Sequence, residues 1–190
     1  MSIIDSGAMT AERFLELPED PPGVRRELAH GEIVVSPSVS PDHSFADTIL
    51  RIRLGGYINA NNLGQLFGDV DTVLGPLDVR RPDLLYFSNS RLHLIGEKAM
   101  HGPPDLCVEI ISPSSKHVDR NEKMREYAAF GVENYWIIDA RRHTAEAYVL
   151  TGGAYELRVS GRERDCVRFP PFDGLSIALG ELWRPKASQR

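Results

Sequence analysis

Cysteine is scarce in this chain. Two occur in 190 residues, Cys107 inside an apolar run and Cys166 beside charges. They form neither a CxxC pair nor a disulfide framework, which argues against structural zinc and for a reducing compartment. Long hydrophobic runs are missing as well: no stretch approaches the roughly 20 apolar residues that cross a bilayer. The opening MSIIDSGAMTAERF has no basic region followed by an apolar one, as a secretory leader would. A soluble, cytoplasmic protein without membrane contact is the expectation. Positive charge is in deficit, with 22 Lys and Arg against 27 Asp and Glu and a net charge of −5. Such a field repels nucleic acid, so a nucleic-acid partner must be held by a local basic patch. GxSxG, P-loop and GxGxxG motifs are absent, which removes support for a nucleophile elbow or a nucleotide-binding turn. The six histidines show no HxH or HxxxH spacing, and His43, His93, His101 and His117 read as surface or loop residues.

What is present has ordinary globular composition, 42% hydrophobic and 26% charged, which predicts one domain over residues 1–184 with a frayed tail at 185–190. AERFLELP reads as a short helix capped by Thr10 and ended by Pro18. RRELAHGEIVVSP reads as a hairpin turning at His30-Gly31, with Ile33 and Val35 on one face of its second strand. After Ser40-Pro41, residues Phe45, Ile49 and Ile52, joined by Ala46 and Leu50, recur at helical spacing to Gly55-Gly56 or slightly beyond. Residues 64–87 alternate as strands, and residues 88–102 read as a surface loop. LCVEII has the continuous apolar character of a strand buried on both faces. A helix follows, with Asp119 and Glu122 as a capping box and Gly131 at its end, and then the buried strand NYWIID. Strand, helix and strand over residues 106–138 make a βαβ-like unit, followed by an antiparallel meander, so the fold class is α/β. Tyr135 and Trp136 read as core.

Two acids occupy positions where strands normally place apolar side chains. Asp83 follows Pro82 at the start of LLYF, and Glu109 lies inside LCVEII. A carboxylate taken out of water is costly unless it is paired or binds a cation. Two strand-borne carboxylates suit a hard divalent ion such as magnesium, which keeps several waters and takes one or two protein carboxylates. The structural alternatives are a backbone cap for Asp83 and an internal pair with an arginine such as Arg81 for Glu109. Asp105, in a second Pro-Asp-Leu, reads as a strand-entry residue.

The ordered blocks FLELPED, RELAHGEIVVSP, RPDLLYF, PDLCVEIISPSS and KMREYAAFGVENYWIID resemble the Uma-type family within the PD-(D/E)XK nuclease superfamily. The resemblance covers most of the chain and implies a restriction-endonuclease-like mixed β-sheet core flanked by helices. It further implies a metal-dependent endonuclease acting on DNA, with Mg2+ as cofactor and Mn2+ as substitute, and Asp83 and Glu109 as metal ligands. Where the superfamily pattern puts a lysine two residues after the second acid, this chain has Ile111. As in the Uma-type family, the lysine moves to the following helix, where Lys123 matches best and Lys116 is the competitor. Glu32 resembles the upstream acid of some superfamily members, and Ser112 belongs to the recurrent block after Glu109; both are supporting candidates. A homodimer would suit cleavage of both strands of a duplex. The rival expectation is a binding or regulatory protein that keeps the nuclease fold without catalysis.

Overall fold

The computed structural model describes residues 7–36, 39–111 and 118–185. Thr10 caps the first helix, α1 (Ala11–Leu15), by accepting the Arg13 amide at 3.4 Å. The expected hairpin follows as β1 (Arg25–Ala29) and β2 (Glu32–Ser36). His30 and Gly31 turn it at φ 51° and 80°, the paired positive values of a turn that matches strand twist. At Gly31 a Cβ would also stand 2.7 Å from that of Ala8, so space as well as backbone requires glycine. Ile33 and Val35 do not share a buried face: Ile33, Val34 and Val35 are all exposed. The reason is position, because β2 is the outer strand of its sheet and the apolar cluster beneath that sheet gathers further in, around Leu28 and Val79.

Ser40 caps α2 (Pro41–Ala60), accepting the His43 amide at 3.2 Å. Its buried stripe is His43, Ala46, Leu50, Leu54 and Ile58, whereas Ile52, expected on the apolar face, is 64% exposed. The helix runs through Gly55-Gly56 because Leu54 and Ile58 on either side of the pair are fully buried. That packing outweighs the roughly 1 kcal/mol each glycine costs in a helix.

The chain then lays down β3 (Gly64–Phe67), β4 (Thr72–Gly75), β5 (Asp78–Arg80) and β6 (Leu84–Ser88). The segment expected as loop contains a 3-10 turn at Asn89–Leu94 and a short strand, β7 (Met100–His101), parallel to β4. Next come β8 (Leu106–Ile110), a π-helical turn at Val118–Lys123 and α3 (Met124–Ala129). The π-turn stands where a regular helix with an Asp119–Glu122 capping box was expected. β9 (Asn134–Asp139), β10 (Thr144–Thr151) and β11 (Ala154–Arg162) form the antiparallel meander, and β12 (Cys166–Val167) pairs with β13 (Ile177–Ala178).

Strand order is β2-β1-β5-β4-β7 in one sheet and β11-β10-β9-β8-β6-β3 in the other. β8 runs parallel to β9 and antiparallel to β6, so the central sheet is mixed, as expected. Leu106, Val108 and Ile110 pack with Leu50, Leu54, Ile58 and Trp136 on one face. Cys107 and Ile111 pack with Tyr127, Tyr135 and Ile137 on the other. Helices thus cover both faces, which is why β8 reads as a continuous apolar run. The chain crosses between the sheets at Arg81-Pro82-Asp83, from β5 to β6. No helix among the described residues is long and apolar enough to cross a membrane.

Candidate active site

Asp83 stands at this crossing and is buried. Its Oδ1 accepts from Arg25 Nη1 at 3.0 Å, and its Oδ2 accepts the Ile110 amide at 2.7 Å and meets His43 Nε2 at 3.1 Å. β1, β8 and the first turn of α2 therefore converge on one carboxylate. Burial opposes its charge, but the His43 hydrogen bond and charge, the Arg25 guanidinium and the Ile110 amide prevail and hold it well below the ordinary carboxylate range. Burial would likewise lower His43, yet Asp83 and the neighbouring Asp47 raise it against that effect and the charge of Arg25. The surface or loop position expected of His43 is thus corrected: a histidine three residues past a helix cap looks solvated until the sheet crossing is packed over it.

Strand pairing brings the second acid alongside. β6 and β8 pair Leu84 with Val108 and Leu85 with Cys107, and one further step of that register sets Asp83 opposite Glu109. Glu109 is buried, and its Oε1 accepts from Lys123 Nζ at 2.9 Å and from the Tyr127 hydroxyl at 2.7 Å. Lys123 ends the π-turn, and Tyr127 follows it by four residues in α3, so both side chains reach the same oxygen. Burial, reinforced by the Glu109 charge, pushes the Tyr127 hydroxyl far up, so it remains a proton donor. The sequence expectation that Lys123 reaches back to the strand of Glu109 is met in the geometry, and the alternative pairing of Glu109 with Arg81 is not, since Arg81 bonds Asp20 and Asp71.

Five contributors carried no functional weight in the sequence. Glu27 on β1 is buried, lies 3.6 Å from Lys123 Nζ, and accepts from Arg80 Nη1 at 3.3 Å and the Arg81 amide at 2.8 Å. Burial would raise its carboxyl, but Lys123, Arg80 and Arg25 hold it down. Arg80 is itself buried and grips Glu126 through Nε and Nη2 at 2.8 and 2.7 Å. Arg25, His43 and Tyr127 complete the set. The alternation in RRELA, which puts Arg25 and Glu27 on one side of a strand, was the available signal. Glu32 is exposed at the start of β2 and, among the described residues, makes no hydrogen bond or ion pair with Asp83, Glu109 or Lys123. Ser112, Lys116 and His117 lie outside the described residues. Asp105 is the strand-entry residue expected, accepting the Ser88 amide at 2.6 Å.

Among the described residues no group of three or more His, Cys, Asp or Glu side chains is arranged to hold a metal ion. A pair of carboxylates remains compatible with a hard ion that keeps its own waters. The surrounding polar atoms agree. Of five side-chain nitrogen and oxygen atoms closed to water without a hydrogen-bond partner among the described residues, four are Arg25 Nε and Nη2, His43 Nδ1 and Asp47 Oδ1. Arg25 and His43 touch Asp83, and Asp47 acts on His43 through its charge. Unmet polar atoms are rare in folded proteins, so their gathering beside Asp83 fits a centre that takes polar ligands.

Comparison with known proteins is consistent with this geometry. A profile of the Uma2 family, described as "Putative restriction endonuclease", matches residues 11–180. A crystal structure described as "a putative nuclease belonging to DUF820", from Anabaena variabilis, superposes with a TM-score of 0.75 at 21% identity, covering 92% of this chain and 97% of that one. At that identity the likeness speaks for the fold. No curated protein matches.

Proposed function

From the premise that this chain belongs to the Uma2 family, we propose that it is a divalent-metal-dependent endonuclease hydrolysing DNA phosphodiester bonds, with residues 1–184 as its single nuclease domain. The observation that carries the reading is the placement of Lys123 Nζ and the Tyr127 hydroxyl on one oxygen of Glu109, on the strand beside Asp83. Asp83 and Glu109 are the residues that would hold the ion, Mg2+ with Mn2+ as substitute. When bound, such an ion polarises a phosphate oxygen and lowers the pKa of its water.

The protein's own residues do the rest. Lys123, buried and oriented by Glu109 and Glu27, presents a fixed cation to charge developing on the scissile phosphate. Tyr127 fixes the Glu109 carboxylate, while Ile110 N–H and His43 fix that of Asp83. The upstream-acid role falls to Glu27 and not to Glu32, because Glu27 faces Lys123. Ser112 keeps its supporting role in this reading, and two copies would serve the two strands of a duplex.

The test is cleavage of supercoiled plasmid in magnesium, with and without chelator, by the wild type and Glu109→Gln. Cleavage that chelator abolishes, and that falls at least about a hundredfold in a folded Glu109→Gln, is expected for loss of a reacting-centre group. Undiminished cleavage by Glu109→Gln would overturn the site. One observation favours a second reading, a nuclease-fold binding protein without catalysis: Asp83, Glu109 and Glu27 already face Arg25, Lys123 and Arg80. That reading requires a folded wild type that binds DNA, takes up no metal and cuts nothing.

A further inference from the structure

Arginines 25 and 80 make an instructive contrast. The side-on fork of Arg80, formed by Nε and Nη2, is filled by the two oxygens of Glu126 at 2.8 and 2.7 Å. The same fork of Arg25 is empty: Nε and Nη2 are closed to water and have no hydrogen-bond partner among the described residues. Among the described residues only the third nitrogen, Nη1, is engaged, with Asp83 Oδ1 at 3.0 Å and Asp69 Oδ1 at 3.3 Å. Two parallel N–H donors held in a plane match two oxygens of one anion, carboxylate or phosphate, better than any other ligand.

We propose that Arg25 is the phosphate clamp of this centre, its Nε–Nη2 fork taking two non-bridging oxygens of the phosphodiester while Nη1 stays turned toward Asp83. The proposal rests on the nuclease reading for the identity of the anion. Three features support it. The guanidinium, which is not deprotonated in proteins, is fixed by its Nη1 contact with Asp83 Oδ1 at 3.0 Å. Its anchor is the candidate metal ligand, so the clamp and the proposed ion share Asp83. Asp69, whose side chain is 60% exposed, lies 3.3 Å from Arg25 Nη1 and 3.6 Å from Arg51 Nη2, so two guanidinium groups stand together beside Asp83.

The experiment uses the 15N-labelled full chain. The Nε–Hε signal of Arg25 is assigned through its own side-chain carbons and followed as inorganic phosphate is added, with and without magnesium. Calorimetry measures magnesium and phosphate binding by the wild type, Arg25→Lys and Arg25→Ala, each first checked by circular dichroism. A saturable shift of the Arg25 signal is expected, with phosphate affinity down about ten- to hundredfold in Arg25→Lys, the range for a lost hydrogen bond to a charged group, and magnesium affinity retained. Lysine keeps the charge but not the fork, so a purely electrostatic or structural Arg25 would leave phosphate affinity unchanged. An unmoved signal, or Arg25→Lys binding phosphate like the wild type, overturns the clamp even if magnesium binds and the nuclease reading stands. A phosphate-responsive Arg25 in a protein that takes up no magnesium sustains the clamp and overturns the metal-dependent reading instead.

Discussion

Glu109 shows how a strand can carry an acid where its neighbours are apolar: a lysine and a tyrosine from the next helical segment both reach one of its oxygens. Breaking a buried pair from one side leaves the other charge stranded, so Lys123→Met is expected to cost about 3–5 kcal/mol in urea unfolding. Tyr127→Phe, which removes a hydrogen bond to a buried charge, should cost about 1–3 kcal/mol. Glu27 adds a pH dependence. Its folded pKa lies below the ordinary 4.5, so its stabilising contribution is present above that value and is lost as pH falls through the folded pKa. Urea midpoints between neutral pH and pH 3 should therefore fall more steeply in the wild type than in Glu27→Gln. Asp83, Glu109 and Lys123 were legible because acids inside apolar strands are conspicuous and the family blocks point to the lysine. Glu27 and His43 were not, since a glutamate in an alternating hairpin and a histidine in a helix's first turn are ordinary surface residues. Their burial arises from partners far along the chain; Glu27 and Arg80 are 53 positions apart, and His43 and Asp83 are 40.

Element by element, the sequence pattern gave type more readily than boundary. The hairpin turn was legible from His30-Gly31, and its geometry makes a test: Gly31→Ala meets both φ 80° and the Ala8 contact. It should destabilise by about 1 kcal/mol or more in thermal or urea unfolding. The end of α2 was less legible, because two glycines signal a stop unless the packing beyond them is known. Leu54 and Ile58 provide that packing, and Leu54→Ala is expected to cost about 2–5 kcal/mol, with the cavity term setting where in that range it falls. The π-turn at Val118–Lys123 could not be read from Met124, Tyr127 and Ala128, whose spacing is the same whichever turn precedes them. Such turns concentrate at functional sites, and this one delivers Lys123 to Glu109.

At the scale of the whole molecule, two sheets meet at the Arg81-Pro82-Asp83 crossing, and every part of the centre comes from an element ending or beginning near it. The mixed central sheet and its helical cover were legible from the run of buried strands and the βαβ unit; the joining of the hairpin to β5, β4 and β7 in a companion sheet was not, because alternation within a strand does not say which strand it pairs with. A net charge of −5 sets a further expectation: long-range attraction cannot hold DNA, so binding should depend on the local cations and the bound ion. Fluorescence anisotropy with a labelled duplex should show weak binding in chelator and tighter binding in calcium. The central claim, that Asp83 and Glu109 form a divalent-metal site, is tested most directly by calorimetric titration of manganese and magnesium into the wild type, Asp83→Ala and Glu109→Ala. Binding by the wild type that disappears in both folded variants is the expected result. Binding that survives in either variant, or a folded wild type that takes up neither ion, would contradict it.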